Sequence, residues 1–277
     1  IDESILSSSS FPDENFRKCI VDTFNEKEPD FVESGLTKSQ VRRYLSQKTT
    51  ELDCSSKSIM SAEGIQYLTS LQKLDLSHNN LSTIDYLSKN ITYLNLSYNS
   101  LSTINLSRNT LLEELHLDNN VLSTIDLSKN VALTVLTIHY NKLSTIDLSQ
   151  NTALVAVYLN NNKLNAIDLS KNENLTTISL SNNNFSQPTG TKYNLGKLTL
   201  GEKVSFKEYV KLPQGFKTKV SYTSSNPEIA TVDENGNISG EKEGTATITL
   251  TSKYNQGNLI YEVNEVTVTK KVAPEST

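Results

Sequence analysis

The stretch "LEELHLDNNVL" (Leu112–Leu122) reads L-x-x-L-x-L-x-x-N-x-L, and the placement of its apolar residues decides how this chain folds. Leu115 and Leu117 flank His116 with the period of a strand, so both leucines point to one side and the histidine to the other. One such strand cannot bury its leucines alone. The pattern recurs, however, as in "LTVLTIHYNKL" (Leu133–Leu143). The anchors Leu74, Leu94, Leu115, Leu136, Val157 and Ile178 are 20, 21, 21, 21 and 21 residues apart. An unbroken asparagine column accompanies them at Asn79, Asn99, Asn120, Asn141, Asn162 and Asn183. Self-similarity at one short period means coils that stack on their neighbours to share a continuous core. Asn carries both donors and acceptors, so at the turn after each strand it is expected to satisfy backbone groups of adjacent coils. A partial earlier copy, "LDCSSKSI" (Leu52–Ile59), puts Cys54 inward and Lys57 where Asn belongs, as suits an atypical first coil.

After the column, each coil runs into a near copy of "LSTIDLSKN" (Leu122–Asn130), seen again from Leu101, Leu143 and Leu164. This is the return side. Ile125 and Leu127 alternate with Asp126, which points the apolar pair inward and the carboxylate outward. A 21-residue coil leaves too little chain for a full return helix, and Ser-Thr-Ile is a poor helix core. An extended or 3₁₀ return is predicted. Strands stack ~4.8 Å apart and helices ~8–10 Å, so thin elements on both sides predict a gently curved solenoid. Ser128 to Asn130, Ser149 to Asn151 and Ser170 to Asn172 are expected to turn the corner through side-chain-to-backbone hydrogen bonds. The outward column Asp85, Asp126, Asp147 and Asp168, interrupted by Asn105, admits a calcium ladder. Ordinary solvated carboxylates with Ser, Thr and Lys neighbours are the simpler reading.

The period, the L-x-L core and the Asn column resemble the leucine-rich repeat over about residues 71–185. That resemblance implies a solenoid of the α/β class with parallel strands. Upstream, "FPDENFRKCIVDTF" sets Phe16, Ile20 and Phe24 on one helical face after a Pro start, and "LTKSQVRRYL" offers Thr37 as the N-cap of a second short helix. A helical pair here would cover the leucines of an open solenoid end. "FPDENFRKCI…GLTKSQVRRYL…LDCSSKSI…GIQYL" resembles the cap of internalin-like bacterial surface proteins, which carry a truncated EF-hand-like pair. Asp30, Glu33 and Gly35 keep part of a calcium loop, but Gln40 stands near the place of the closing Glu, and no metal is expected.

From about Leu198 the chain shows short alternating strands separated by turns: "KVSYTSS", "IATVD", "NISG", "TATITLTS" and "EVTVTKKV". "DENGN" (Asp233–Asn237) reads as a turn. The run "YTSSNPEIATVDENGNISGEKEGTATITLTS" (Tyr222–Ser252) resembles the bacterial Ig-like domain of group 2, with Tyr222 where many members carry Trp. An all-β Ig-like sandwich acting as a spacer is implied. The expected organisation is a segment and helical cap over 1–51, repeats over 52–190 and the Ig-like domain over 196–273.

Composition narrows the function. The net charge of −5 argues against nucleic-acid binding, and no apolar run approaches the ~18 residues of a membrane span. Cys19 and Cys54 either form one disulfide or are two small buried side chains. The chain opens at Ile1-Asp2-Glu3 without Met or an apolar leader, which suggests a trimmed mature form or a cytosolic protein. The N-x-S/T triplets follow from an Asn/Ser-rich repeat.

His78, His116 and His139 all align to outward positions on the strand face, as do Tyr93, Tyr98, Tyr140 and Tyr158. Catalysis would need a histidine beside a nucleophile and an orienting carboxylate, and Asp118 is the nearest carboxylate. No activated Ser or Cys sits in a recognisable motif, and zinc lacks a third converging ligand. Tyr and His combine apolar area with polar tips, as binding surfaces do. The expectation is therefore a non-enzymatic, adhesin-like protein, monomeric and without cofactor, at the bacterial cell surface or outside the cell. Its strand face would bind a protein ligand on a host or neighbouring cell, or a glycan. A non-catalytic part of a larger secreted enzyme and a plain spacer are the alternatives.

Overall fold

Each repeat contributes a three-residue strand whose middle side chain is buried and whose flanks face outward, as the L-x-L alternation requires. The computed structural model describes residues 6–27, 38–180, 182–184, 197–199, 203–205, 210–211, 219–254 and 257–269. They belong to two compact units, Ile1–Asn141 and Lys142–Thr277. In the first, strands β1 (Glu51–Asp53), β2 (Lys73–Asp75), β3 (Tyr93–Asn95), β4 (Glu114–His116) and β5 (Val135–Thr137) pair in parallel in chain order. The anchors face one another without a slip: Leu52 opposite Leu74, Leu74 opposite Leu94, Leu94 opposite Leu115 and Leu115 opposite Leu136. In the second unit, β6 (Ala156–Tyr158) and β8 (Thr177–Ser179) pair the same way, Val157 opposite Ile178.

The asparagine column holds the turns that follow the strands. Asn120 Nδ2 donates to the carbonyls of Leu96 in the preceding coil and Leu117 in its own, at 3.0 and 3.1 Å. Its Oδ1 accepts the Leu101 N–H at 2.9 Å. Asn79 serves the first coil, donating to the Cys54 carbonyl and accepting from Lys57 and Ile59 N–H. Both ends of each amide are used, which an apolar residue could not do. On the far side of the coil a second asparagine line donates through Nδ2 to carbonyls of the preceding coil. Asn130 is fully buried and donates to the carbonyls of Leu106 and Asn109. Asn172 donates to those of Leu148 and Asn151.

The return segments carry little regular structure, as expected of a short coil. The first coil has a 3₁₀ turn at Ile65–Tyr67. In the second unit a two-residue strand, β7 (Ile167–Asp168), forms in the return segment. The outward carboxylates close local turns: Asp126, Asp147 and Asp168 Oδ1 accept the N–H of Ser128, Ser149 and Ser170 at 2.9–3.0 Å. Asn105, which interrupts the acidic column in sequence, accepts the Ser107 N–H in the same way. An oxygen acceptor, not a charge, is what this position needs. The Ser128 N–H holds the Asp126 carboxyl below its usual range.

Two helices, α1 (Glu14–Lys27) and α2 (Lys38–Lys48), form the cap. Phe16, Ile20 and Phe24 are buried on one face of α1, as their spacing predicts. Thr37, Asp30, Glu33 and Gly35 lie outside the described residues. Asp13 starts α1, accepting the Phe16 N–H through Oδ1 and the Met60 and Ser61 N–H through Oδ2. Cys19 and Cys54 form a disulfide that ties α1 to the coil of β1, with 5.8 Å between their Cα atoms.

The rest of the second unit is antiparallel apart from two short parallel pairings. Its strands are β9 (Lys197–Thr199), β10 (Lys203–Ser205), β11 (Val210–Lys211), β12 (Lys219–Ser224), β13 (Ala230–Val232), β14 (Asn237–Gly240), β15 (Gly244–Tyr254) and β16 (Gly257–Thr269). One sheet runs β12-β15-β16-β9 and the other β10-β14-β13, while β11 pairs in parallel with β7. β16 begins well before the "EVTVTKKV" segment, because it pairs with β15 from Gly257 onward. Asp233 Oδ1 accepts the N–H of Asn235 and Asn237, closing the expected turn. Gly236 there has φ 79°, and a Cβ on it would meet the Tyr222 ring at 2.8 Å. The tyrosine in the Trp position thus packs on a turn that only glycine fits. Burial, with the Asp233 carboxylate, pushes its phenol above the usual range.

Candidate functional site

The seven aromatic and imidazole residues singled out in the sequence fall into three structural settings. Tyr93, His116 and Tyr158 lie on β3, β4 and β6 and flank buried middle residues. His139 comes two residues after β5. His78, Tyr98 and Tyr140 sit one residue before the asparagine column, with φ 54°, 56° and 52°. These three are therefore turn residues in the left-handed region, displaced from the strands proper. The L-x-x-N spacing marks where the turn falls, but only the backbone reveals its hand.

In the first unit the outward groups are bound into a polar network. Its centre is Asp118, whose side chain is nearly buried. Asp118 Oδ1 accepts the His139 N–H at 3.0 Å and lies 3.3 Å from His139 Nε2. Oδ2 accepts the Thr137 hydroxyl and, at 3.4 Å, the Ser97 hydroxyl. With its one proton given to Asp118, Thr137 can only accept from His116 Nδ1, 3.1 Å away. His116 Nε2 faces Glu114 at 3.8 Å. Ring contacts extend the cluster: Tyr93 lies 5.4 Å from His116, and His139 packs edge-on to Tyr140 at 5.4 Å. His78 and Tyr98 stack at 4.2 Å with an 11° interplanar angle.

This arrangement positions side chains; it does not activate a nucleophile. Ser97 and Thr137 both donate to a carboxylate, and neither hands its proton to an imidazole, as hydroxyl attack would require. Among the described residues no group of three or more His, Cys, Asp or Glu side chains could hold a metal ion.

Beside the network an open concavity of about 680 Å³ lies between α1 and the strands. Glu26, Glu51, Asp53, Asp75, Glu113 and Glu114 line it together with Tyr93, against Lys27 and Lys73. Lys73 is already paired with Glu51 at 3.2 Å. Burial first, then the Asp75 carboxylate, pushes the Tyr93 phenol above its usual range. Sequence reasoning found the tyrosine but not this acidic margin, because its carboxylates come from separate coils and from the cap.

Comparison with known proteins matches the expected modules. The leucine-rich repeat family matches residues 70–89 and 174–193, and the bacterial Ig-like domain (group 2) matches residues 196–263. No curated protein matches the chain. Similar solved structures include an internalin C2 from Listeria monocytogenes, 24% identical with a TM-score of 0.45, over 64% of this chain and 87% of that one. An internalin (inlF) from the same organism is 21% identical with a TM-score of 0.45, over 65% of this chain and 59% of that one. The functional domain of InlJ, also from Listeria monocytogenes, is 16% identical with a TM-score of 0.25, over 95% and 98%.

Proposed function

We propose that this leucine-rich repeat chain with a bacterial Ig-like domain is a non-enzymatic binding protein, whose outward strand face takes a protein ligand. The observation that carries the reading is the network around Asp118. It holds His116, Thr137 and His139 in fixed orientation, with Tyr93 and Tyr140 in ring contact at its margin. Preorganised aromatic side chains bind with little loss of side-chain freedom. Tyr98 and Tyr140 remain 48% and 54% exposed although the leucines beneath them are fully buried, which leaves apolar area available to a partner.

A location outside the cytoplasm fits the Cys19–Cys54 disulfide, since such bonds persist in oxidising compartments. No described helix is long and apolar enough to cross a membrane. The Ig-like domain serves as the spacer that sets the repeats away from their attachment.

The test is a binding screen of the intact chain against arrayed cell-surface ectodomains and glycans. It is repeated with Tyr93, Tyr98, Tyr140 and Tyr158 changed to Ser. The expected result is an ectodomain ligand whose binding falls at least about tenfold in the variant, the loss of one good contact. A ligand that binds the variant equally well would remove the strand face as the site.

A further inference from the structure

Among the anchors from Leu74 to Ile178, only the step from Leu74 to Leu94 falls short of 21 residues. Leu74 to Leu81 matches Leu94 to Leu101, so the missing residue lies beyond Leu81, on the return side. That shortening frees a carboxylate. In other coils the outward acid or amide closes a turn, Asp126 accepting the Ser128 N–H and Asn105 that of Ser107. Asp85 stands in the same column, yet its carboxylate makes no hydrogen bond or ion pair among the described residues.

The same shortening expels a ring. Tyr86 has φ 58°, stands outside the left-handed line that precedes the column asparagines, and is 76% exposed. This backbone conformation is unfavourable for a ring-bearing residue. Glycine or asparagine would make the turn with less strain, and an exposed ring adds nothing to the core. Strain of this kind gathers at ligand sites.

Asp85 and Tyr86 line a concavity of about 270 Å³, whose other wall is the first coil around its 3₁₀ turn. Ser61, Glu63 and Gln66 line that wall, and Thr83 joins Asp85 on the near side. The volume is close to that of the smallest small-molecule sites, roughly 300 Å³. It suits a short chain of small rings rather than a folded partner.

The polar groups around this concavity select the ligand's chemistry. Ser61 Oγ accepts the Glu63 N–H at 3.2 Å, which leaves its own proton to donate. Gln66 Oε1 accepts the Gly64 N–H at 2.9 Å, which leaves its NH₂ group to donate. The Asp85 and Glu63 carboxylates can only accept. A Lys or Arg side chain has no acceptor to offer Ser61 and Gln66, and an anion would meet two carboxylates. A neutral polyol answers donors and acceptors alike, and its C–H groups pack on the negative face of an open aromatic ring.

We propose that Ser61, Glu63, Gln66, Asp85 and Tyr86 form a binding site for a neutral saccharide, with the Tyr86 ring stacked on its C–H face. The site lies on the return side of the coil, so it is independent of protein binding at the strand face.

The test uses the full chain on an array of neutral glycans built from hexoses and N-acetylhexosamines, with tetralysine as the cationic comparison. The variants are Tyr86→Asn, which keeps the left-handed turn and deletes the ring, Tyr86→Phe, which keeps the ring, and Asp85→Asn. A neutral glycan should bind the parent and Tyr86→Phe alike. It should bind Tyr86→Asn and Asp85→Asn about tenfold more weakly, the factor of one stacking or charged contact. Without ligand, Tyr86→Asn should melt at the parent's temperature or higher, because the ring serves the ligand and not the fold. A fall of several degrees would make the ring structural and overturn the proposal. An array with no bound neutral glycan, or a glycan that binds Tyr86→Asn unchanged, would overturn it too. So would tetralysine bound in place of glycans and lost in Tyr86→Asn.

Discussion

At the scale of single residues, this fold depends on amides and carboxylates that close turns. Asn130 illustrates the energetic logic. Its side chain is fully buried and donates to two main-chain carbonyls of the preceding coil, those of Leu106 and Asn109. Asn130→Ala removes one bond from each of these carbonyls, which keep the Asn109 and Leu112 N–H as their remaining donors. We expect a loss of about 1–3 kcal/mol, from two hydrogen bonds at roughly 0.5–1.5 kcal/mol each. Urea unfolding followed by circular dichroism measures it, and Asn105→Asp serves as the control. That exchange preserves the oxygen that accepts from Ser107 and should change stability by less than about 0.5 kcal/mol. Both asparagine lines are legible in the sequence as columns. Their partners are not, because each bond reaches a residue some twenty positions away.

Among the elements, the cap and the short coil show what a repeat must change at its end. The first coil lacks the column asparagine, with Lys57 in its place, and takes its turn bonds from Asn79 of the next coil. α1 covers this coil and is secured twice, by Asp13 and by the disulfide. Closing a loop with a sequence separation of 35 residues stabilises by roughly 3–4 kcal/mol in the chain-entropy account. Changing Cys19 and Cys54 to Ser should therefore lower the melting temperature by several degrees and expose α1 to protease before the repeats. Proteolysis that starts in the coils first would contradict this order. The coil between Leu74 and Leu94 is one residue shorter than the others, and it turns Tyr86 outward at φ 58° with 76% of its surface exposed. Ser88 takes over the buried corner there, its hydroxyl donating to the Thr69 carbonyl. The 20-residue spacing revealed a deletion in that coil, but not which side chain it would expel.

Across the described coils the interior is mostly leucine and the outward surface carries the differences between coils. The acidic margin of the first unit gives an ionic-strength signature. Binding of a basic partner should weaken as salt rises from about 0.05 to about 0.5 M, where screening shortens the Debye length from ~14 to ~4 Å. Loss should appear mainly in the association rate, measured by surface plasmon resonance. Binding that strengthens with salt would point to an apolar contact without charge complementarity.

The sequence by itself determined the coil, its period, the inward leucines, both asparagine columns and the Ig-like strands, because each is a local pattern repeated many times. Tertiary structure alone decided that Cys19 meets Cys54, that Asp118 gathers Ser97, Thr137 and His139, and that His78, Tyr98 and Tyr140 occupy left-handed turns. It also showed that Asp85 lacks the turn bond its counterparts make and shares a concavity with Tyr86. The physical reason is one of distance along the chain. A repeat writes its core into every coil, whereas a site on its surface is assembled from residues of different coils that share no pattern.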